Sequence, residues 1–155
     1  MADAEWLDED EARAWRGFVD MRARLSAHLS RELQKSGMSD ADYSVLVGLS
    51  EAPAERLRLH ELGVRLQWQK SRLSKQLTRM QDRGLVVREE CPTDGRGAFA
   101  VLTEAGRQAI EAAAPLHVRQ VREYFIAPLN REQLLALAEI TSAVVARLEE
   151  DAPGE

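Results

Sequence analysis

The chain has 155 residues, of which 45% are hydrophobic and 30% charged, and its 21 Lys/Arg against 26 Asp/Glu give a net charge of −5. This composition excludes a disordered tail, and no apolar run approaches the roughly 20 residues that a membrane span needs, so residues 1–155 are read as one domain with its own core. The single cysteine, Cys91, excludes an internal disulfide framework, and the acidic start MADAEWLDEDEA lacks the basic end and apolar centre of a secretory leader, so a cytoplasmic protein is expected.

The first predicted element is a helix over about 9–35. Phe18, Met21, Leu25, Leu29 and Leu33 recur every three or four residues, with Trp15 one turn earlier. Gly37 should stop it. Ser39 then caps a second helix, with Asp42 at the capping-box position; its apolar face is Tyr43, Leu46, Val47 and Leu49. SEAPAE, residues 50–55, is a turn. Leu57 and Leu59 alternate with Arg56 and Arg58, which predicts a very short strand. A short helix over about 60–66 follows, then a longer one over about 69–83 that Gly84 ends. Leu85, Val86 and Val87 begin a strand, CPTDGRG (91–97) has the residues of a hairpin tip, and Ala98, Phe99 and Val101 return. Thr103 caps a long helix over about 104–127, with Pro115 inside it and Pro128 closing it. Asn130 and Gln133 make another capping pair. Leu134, Leu137, Ile140 or Thr141, Val144 and Leu148 form the last apolar stripe.

The expected fold is therefore mainly α with a small β-hairpin wing. A winged helix-turn-helix occupies about 40–103, flanked by long helices at about 9–35 and 104–150. The flanking helices carry apolar stripes with little else in the chain to cover them, which points to a symmetric homodimer.

The net acidity hides a basic middle. Residues 1–55 hold 6 Lys/Arg against 12 Asp/Glu, residues 56–107 hold 11 against 6, and residues 108–155 hold 4 against 8. Salt screens charges beyond about 10 Å, so a phosphate responds to this local field. Within 65–83 there are six cations and one acid, Asp82. On a helical wheel for 69–83, Leu73, Leu77 and Met80 share the core side, and Ser71, Arg72, Lys75, Thr78 and Arg79 cluster opposite. Such a face suits double-stranded DNA: arginine and lysine reach guanine or phosphate, and small hydroxyls permit close approach. The candidate DNA contacts on this helix are Lys70, Ser71, Arg72, Ser74, Lys75, Gln76 and Arg79, with Lys70 pointing sideways toward phosphate. Trp68, in the turn before the helix, is read as a packing anchor. At the wing tip Gly95 and Gly97 flank Arg96, which suits insertion into a narrow minor groove. Asp94 is expected to hold the loop or orient an arginine.

Several of these residues carry a resemblance. Arg83-Gly84-Leu85-Val86, then Asp94 with Arg96, then Leu102-Thr103 with Gly106, resemble the pattern of MarR-family winged-helix transcriptional regulators over about residues 40–150. The chain departs from that pattern at Gly63, where alanine is usual, at Gln67-Trp68, where glycine and an aliphatic residue are common, and at Arg72, where threonine is frequent. The resemblance implies a homodimer built on the first and last helices that binds a near-palindromic operator, in most cases as a repressor. It also implies a small-molecule or redox signal, with an effector held between the dimer helices and the winged domain. By chain order Trp15, Phe18 and Tyr43 are the aromatic residues suited to such a cleft.

No catalytic residue, metal site or cofactor is expected. His28, His60 and His117 lie far apart, and no nucleophile motif or phosphate loop is present. Two alternatives remain: a winged helix used for protein contact, and a thiol- or metal-responsive sensor using Cys91. Glu89 and Glu90 beside Cys91 raise rather than lower a thiol pKa, and ligand spacing for a metal is lacking.

Overall fold

The computed structural model describes residues 6–91 and 97–150. The chain divides into two compact units, one up to His117 and one from Val118.

In the first unit, α1 (Glu9–Gln34) starts at Asp8. The Glu11 amide donates to the Asp8 carboxylate at 2.9 Å, and the Asp8 amide donates to Glu11 at 2.9 Å. These reciprocal bonds satisfy amides that a helix start leaves without intrahelical acceptors. The helix ends at Gly37, whose φ is +73°, with Met38 N–H donating to Leu33 at 3.3 Å and Gly37 N–H to Gln34 at 2.9 Å. A left-handed residue is required between those two bonds. Only the end of the α1 stripe reaches the core. Leu33 is buried and Leu25 and Leu29 are half-buried, whereas Trp15 is 57% and Phe18 46% exposed.

The next helix, α2 (Asp40–Ser50), has the expected capping box: Asp42 N–H donates to Ser39 Oγ at 3.0 Å, and Ser39 N–H to Asp42 Oδ2 at 3.1 Å. Its buried face is Asp42, Val45, Leu46 and Leu49, and Tyr43 and Val47 are only half-buried. Strand β1 (Arg56–Arg58) stops before Leu59, which sequence alternation assigned to the strand. The Arg58 amide donates to Glu61 at 3.0 Å, and this cap draws Leu59 into the first turn of α3 (Leu59–Leu66). After α4 (Lys70–Asp82), strands β2 (Val86–Glu90) and β3 (Ala98–Leu102) complete an antiparallel sheet in the order β1-β3-β2. Val86 faces Leu102, and Arg56 faces Val101.

Val45, Leu46, Leu49, Leu62, Leu77, Met80 and Val86 are fully enclosed at the centre of this unit. Each such side chain contributes about 1.5–3 kcal/mol relative to exposure. The Thr103 hydroxyl accepts the Gly106 amide at 3.0 Å, capping α5 (Glu104–Val121), and donates to Gly84 at 2.6 Å. A Cβ on Gly106 would collide with the Leu85 carbonyl and sit 2.8 Å from Leu102 Cδ1, so only glycine lets α5 start this close to the end of α4.

The second unit begins with the last turn of α5. The helix expected to run to about 127 changes at Val121: Arg122–Ile126 is a wider π turn, in which Ala127 N–H donates to the Arg122 carbonyl at 2.8 Å. Pro115 lies inside α5 without ending it. Asn130 and Gln133 exchange capping bonds of 3.0 and 2.8 Å to start α6 (Arg131–Glu150). No residue of α6 is buried, and Leu135, Ile140, Val144, Val145 and Leu148 are each at least half exposed. Among the described residues, no helix is long and apolar enough to cross a membrane.

Candidate nucleic-acid interface

The turn from α3 into α4 is built on Gln67, which is left-handed at φ 54°, ψ 40°. Trp68 N–H donates to Gly63 at 2.9 Å and Gln67 N–H to Val64 at 3.1 Å, the same double closure that ends α1 at Gly37. A left-handed conformation costs a residue other than glycine about 1–2 kcal/mol. Gln67 offsets part of this locally, because its Nε2 donates to the Val64 carbonyl at 2.9 Å. Gly63 lies beneath the turn, where a Cβ would stand 3.3 Å from the Trp68 carbonyl oxygen. Trp68 itself is half-buried and packs on the core.

Helix α4 turns Leu73, Gln76, Leu77 and Met80 inward. Lys70, Ser71, Arg72, Lys75, Thr78 and Arg79 are exposed, and Ser74 is half-buried. The Gln69 side chain makes no capping bond, so the first-turn amides near Ser71 keep the partial positive charge of a helix start. The Arg72 guanidinium carbon lies over the Trp68 ring, 4.1 Å from its centroid.

Gln76 is the DNA-contact candidate that the fold turns away from solvent. It is 3% exposed, and its Nε2 donates to Asp42 Oδ1 at 2.7 Å. Its spacing explains this: it follows Leu73 by three residues and precedes Met80 by four, so it shares their stripe. The Gln76 Oε1 accepts from Arg79 at 2.6 Å, and Arg83 donates to Asp42 Oδ2 at 2.7 Å and to the Gly37 carbonyl at 3.1 Å. Burial alone would push the Asp42 carboxyl up. The bonds from Arg83 and from the amide and hydroxyl of Ser39 outweigh it and hold the carboxyl below its ordinary value. Sequence reading treated Asp42 only as a cap. The available signal was its place three, four and seven residues before Val45, Leu46 and Leu49, on their face of α2.

The hairpin is stitched to the back of α4. Arg88 on β2 donates to the Ser74 carbonyl at 2.5 Å and to Thr78 Oγ1 at 3.2 Å, and its amide donates to Gln81 at 3.1 Å. Cys91 N–H donates to the Gly97 carbonyl at 2.8 Å at the hairpin base, and Cys91 is 5% exposed. Asp94 and Arg96, the wing-tip candidates, lie outside the described residues.

Of the three aromatic residues suited by chain order to a ligand cleft, Trp15 and Phe18 come together, with ring centroids 5.9 Å apart on the exposed part of α1. Tyr43 goes elsewhere. It lines an open cavity of about 530 Å³ with Leu29, Ser44, Val47, Arg65 and His117. The Tyr43 and His117 rings are 4.4 Å apart, and His117 Nδ1 is buried with no hydrogen-bond partner among the described residues. Burial pushes the His117 pKa down against the opposing pull of Asp40, which favours the neutral ring. Sequence reading dismissed His117 because no other histidine lies near it in the chain.

The model of the MarR family matches residues 36–97. The chain is 31% identical over 120 residues to the transcriptional regulator HosA of Escherichia coli O111:H-, a match covering 76% of this chain and 86% of HosA. Its structure is similar to that of AbsC, a MarR family transcriptional regulator from Streptomyces coelicolor, with a TM-score of 0.91, 39% identity and coverage of 96% of this chain and 100% of AbsC. It is equally similar to Sco3205, a MarR family transcriptional regulator from the same organism solved in complex with DNA. There the TM-score is 0.92 and the identity 38%, with coverage of 98% and 96%.

Proposed function

The chain belongs to the MarR family of transcriptional regulators, and on that premise we propose that it is a cytoplasmic, ligand-responsive repressor that binds a near-palindromic operator as a homodimer. The observation that carries the DNA reading is the outward face of α4. Lys70, Ser71, Arg72, Lys75 and Arg79 are all exposed there, on a helix whose opposite face is locked into the core. Ser71 stands at a helix start that favours phosphate, and Lys70 beside it contacts backbone. Arg72, Lys75 and Arg79 face the groove. Asp94 and Arg96 at the wing tip serve the minor groove.

The homodimer is supported by two apolar faces. Trp15, Phe18 and Met21 on α1 are exposed, as are Ile140, Val144 and Leu148 on α6, and such stripes are stable in water when a second copy covers them. The effector is supported by the cavity at Tyr43 and His117. A buried ring nitrogen without a partner suits a ligand that bears a complementary hydrogen-bonding group. Cys91 at 5% exposure gives a thiol sensor no ready access to oxidant.

The test is selection of bound duplexes from a random-sequence pool by the full chain, followed by sedimentation of the complex and a reporter carrying the selected site. The expected result is an inverted-repeat motif, two protomers per duplex and lower reporter output when the protein is present. A salt-sensitive but sequence-indifferent pool would overturn specific recognition, and a stable folded monomer at micromolar concentration would overturn the dimer.

A further inference from the structure

The three positions at which this chain departs from its family's pattern meet in one turn. Gly63 lies beneath the Trp68 carbonyl, Gln67 takes the left-handed position, and Trp68 supports Arg72. We propose that Trp68 is a positioning residue for sequence readout: its indole holds the Arg72 guanidinium in place so that Arg72 recognises guanine in the major groove. This rests on the DNA-binding reading above and deepens it.

The geometry supports each step. Arg72 is the third residue of α4, and helical side chains lean toward the N-terminus, so its stem runs back over the turn to Trp68. The first residues of a recognition helix are those that meet base edges. A guanidinium resting on an aromatic face is held by its flat side, which leaves its in-plane N–H groups for acceptors. Guanine offers O6 and N7 in the major groove at a spacing that matches two of those groups. An exposed arginine loses rotamer freedom when it binds, and the stack removes part of that cost in advance.

The neighbouring cations differ. Arg79 spends a donor on Gln76, Arg83 is paired with Asp42, and Arg65 is paired with Glu51. Trp68 has enough bulk to do two things at once, since it packs on the core and also carries Arg72. Gly63 fits the same scheme, because a Cβ at 3.3 Å would press on the Trp68 backbone and shift the indole.

The experiment selects duplexes from a random-sequence pool with the full-length parent, Arg72→Thr, Trp68→Leu, Trp68→Phe and the Trp68→Leu/Arg72→Thr pair. Folding of each is checked by thermal melting. The parent is expected to enrich guanine at one position in each half-site. Arg72→Thr should lower that preference by roughly 5- to 150-fold and leave the other positions alone. Trp68→Leu should weaken the same position and no other, Trp68→Phe should restore most of it, and Arg72→Thr should add nothing in the Trp68→Leu background.

A ring-fluorinated tryptophan at position 68 keeps the packing but weakens the negative face, so it decides the matter if Trp68→Leu fails to fold. It should lower the guanine preference. If Arg72→Thr alone abolishes the preference while Trp68→Leu or the fluorinated ring keeps it, Trp68 is only a turn anchor. If Arg72→Thr leaves the motif intact, Arg72 does not read the base. If the parent enriches no sequence at all, the DNA reading beneath the proposal fails, and that outcome is separate from the other two.

Discussion

The two ends of α4 carry similar charge and use it differently. At the N-terminal end, Lys70, Arg72 and Lys75 are exposed, and the cation that is held, Arg72, is held by an aromatic face that leaves its N–H groups available. At the C-terminal end the cations are bound to the fold: Arg79 donates to Gln76, and Arg83 to Asp42 and Gly37. A count of six cations over 65–83 therefore overstates what DNA can meet, because Arg65, Arg79 and Arg83 are engaged within the protein. The first end is arranged for a partner, and the second fixes how that first end is presented.

The largest expected effect breaks the second end. Asp42→Ala strips the buried acceptor from Gln76 and Arg83 and removes one half of the α2 capping box. Loss of one member of such a buried charged pair costs about 3 kcal/mol, to be read from urea unfolding. DNA affinity should fall only as far as the folded fraction falls. A loss of affinity in a fully folded Asp42→Ala protein would show that this end contacts DNA after all.

The same carboxylate sets a pH dependence. Its folded pKa lies below the unfolded one, so its stabilisation is present above the unfolded value of about 3.9 and is lost as pH falls through the folded pKa. Acid unfolding of the parent should therefore steepen below about pH 4. Asp42→Asn should lack that component, and a matching acid profile in the two proteins would remove Asp42 from the account.

Breaking the first end should have a smaller effect, and on a different quantity. Arg72→Ala is expected to cost about 1–3 kcal/mol of discrimination on the selected site, with stability within about 0.5 kcal/mol of the parent. Arg79→Ala should show the reverse balance, with a change in stability from the exposed Gln76 carbonyl and less loss of base preference. Binding and melting of both variants, side by side, test the contrast. The smallest effect belongs to Lys70. Lys70→Ala should weaken selected and scrambled duplexes equally and reduce the slope of log affinity against log salt by about 0.9, the signature of one phosphate contact. A base preference altered by Lys70→Ala would exchange the roles of positioning and reading.

Much of this molecule was legible from local signals. Ser39 with Asp42, Asn130 with Gln133, Gly37, Gly84 and Thr103 each act over three to five residues, and each starts or ends a helix where its chemistry requires. The exposed face of α4 followed from its 3.6-residue period in the same way. The sequence was less informative where a local pattern competed with a cap, as at Leu59, or where the helix widened after Val121.

What only the tertiary structure decided is the fate of individual polar side chains. Gln76 and Arg83 find Asp42 across 34 and 41 residues, and Tyr43 finds His117 across a still longer separation. Periodicity assigns a residue to a face, but a hydrogen bond needs a partner at about 2.7–3 Å. Which partner arrives there is set by how α1, α2, α4 and α5 pack, so the sequence by itself determined the elements and their polar faces, and packing determined which of those polar groups remain available to bind.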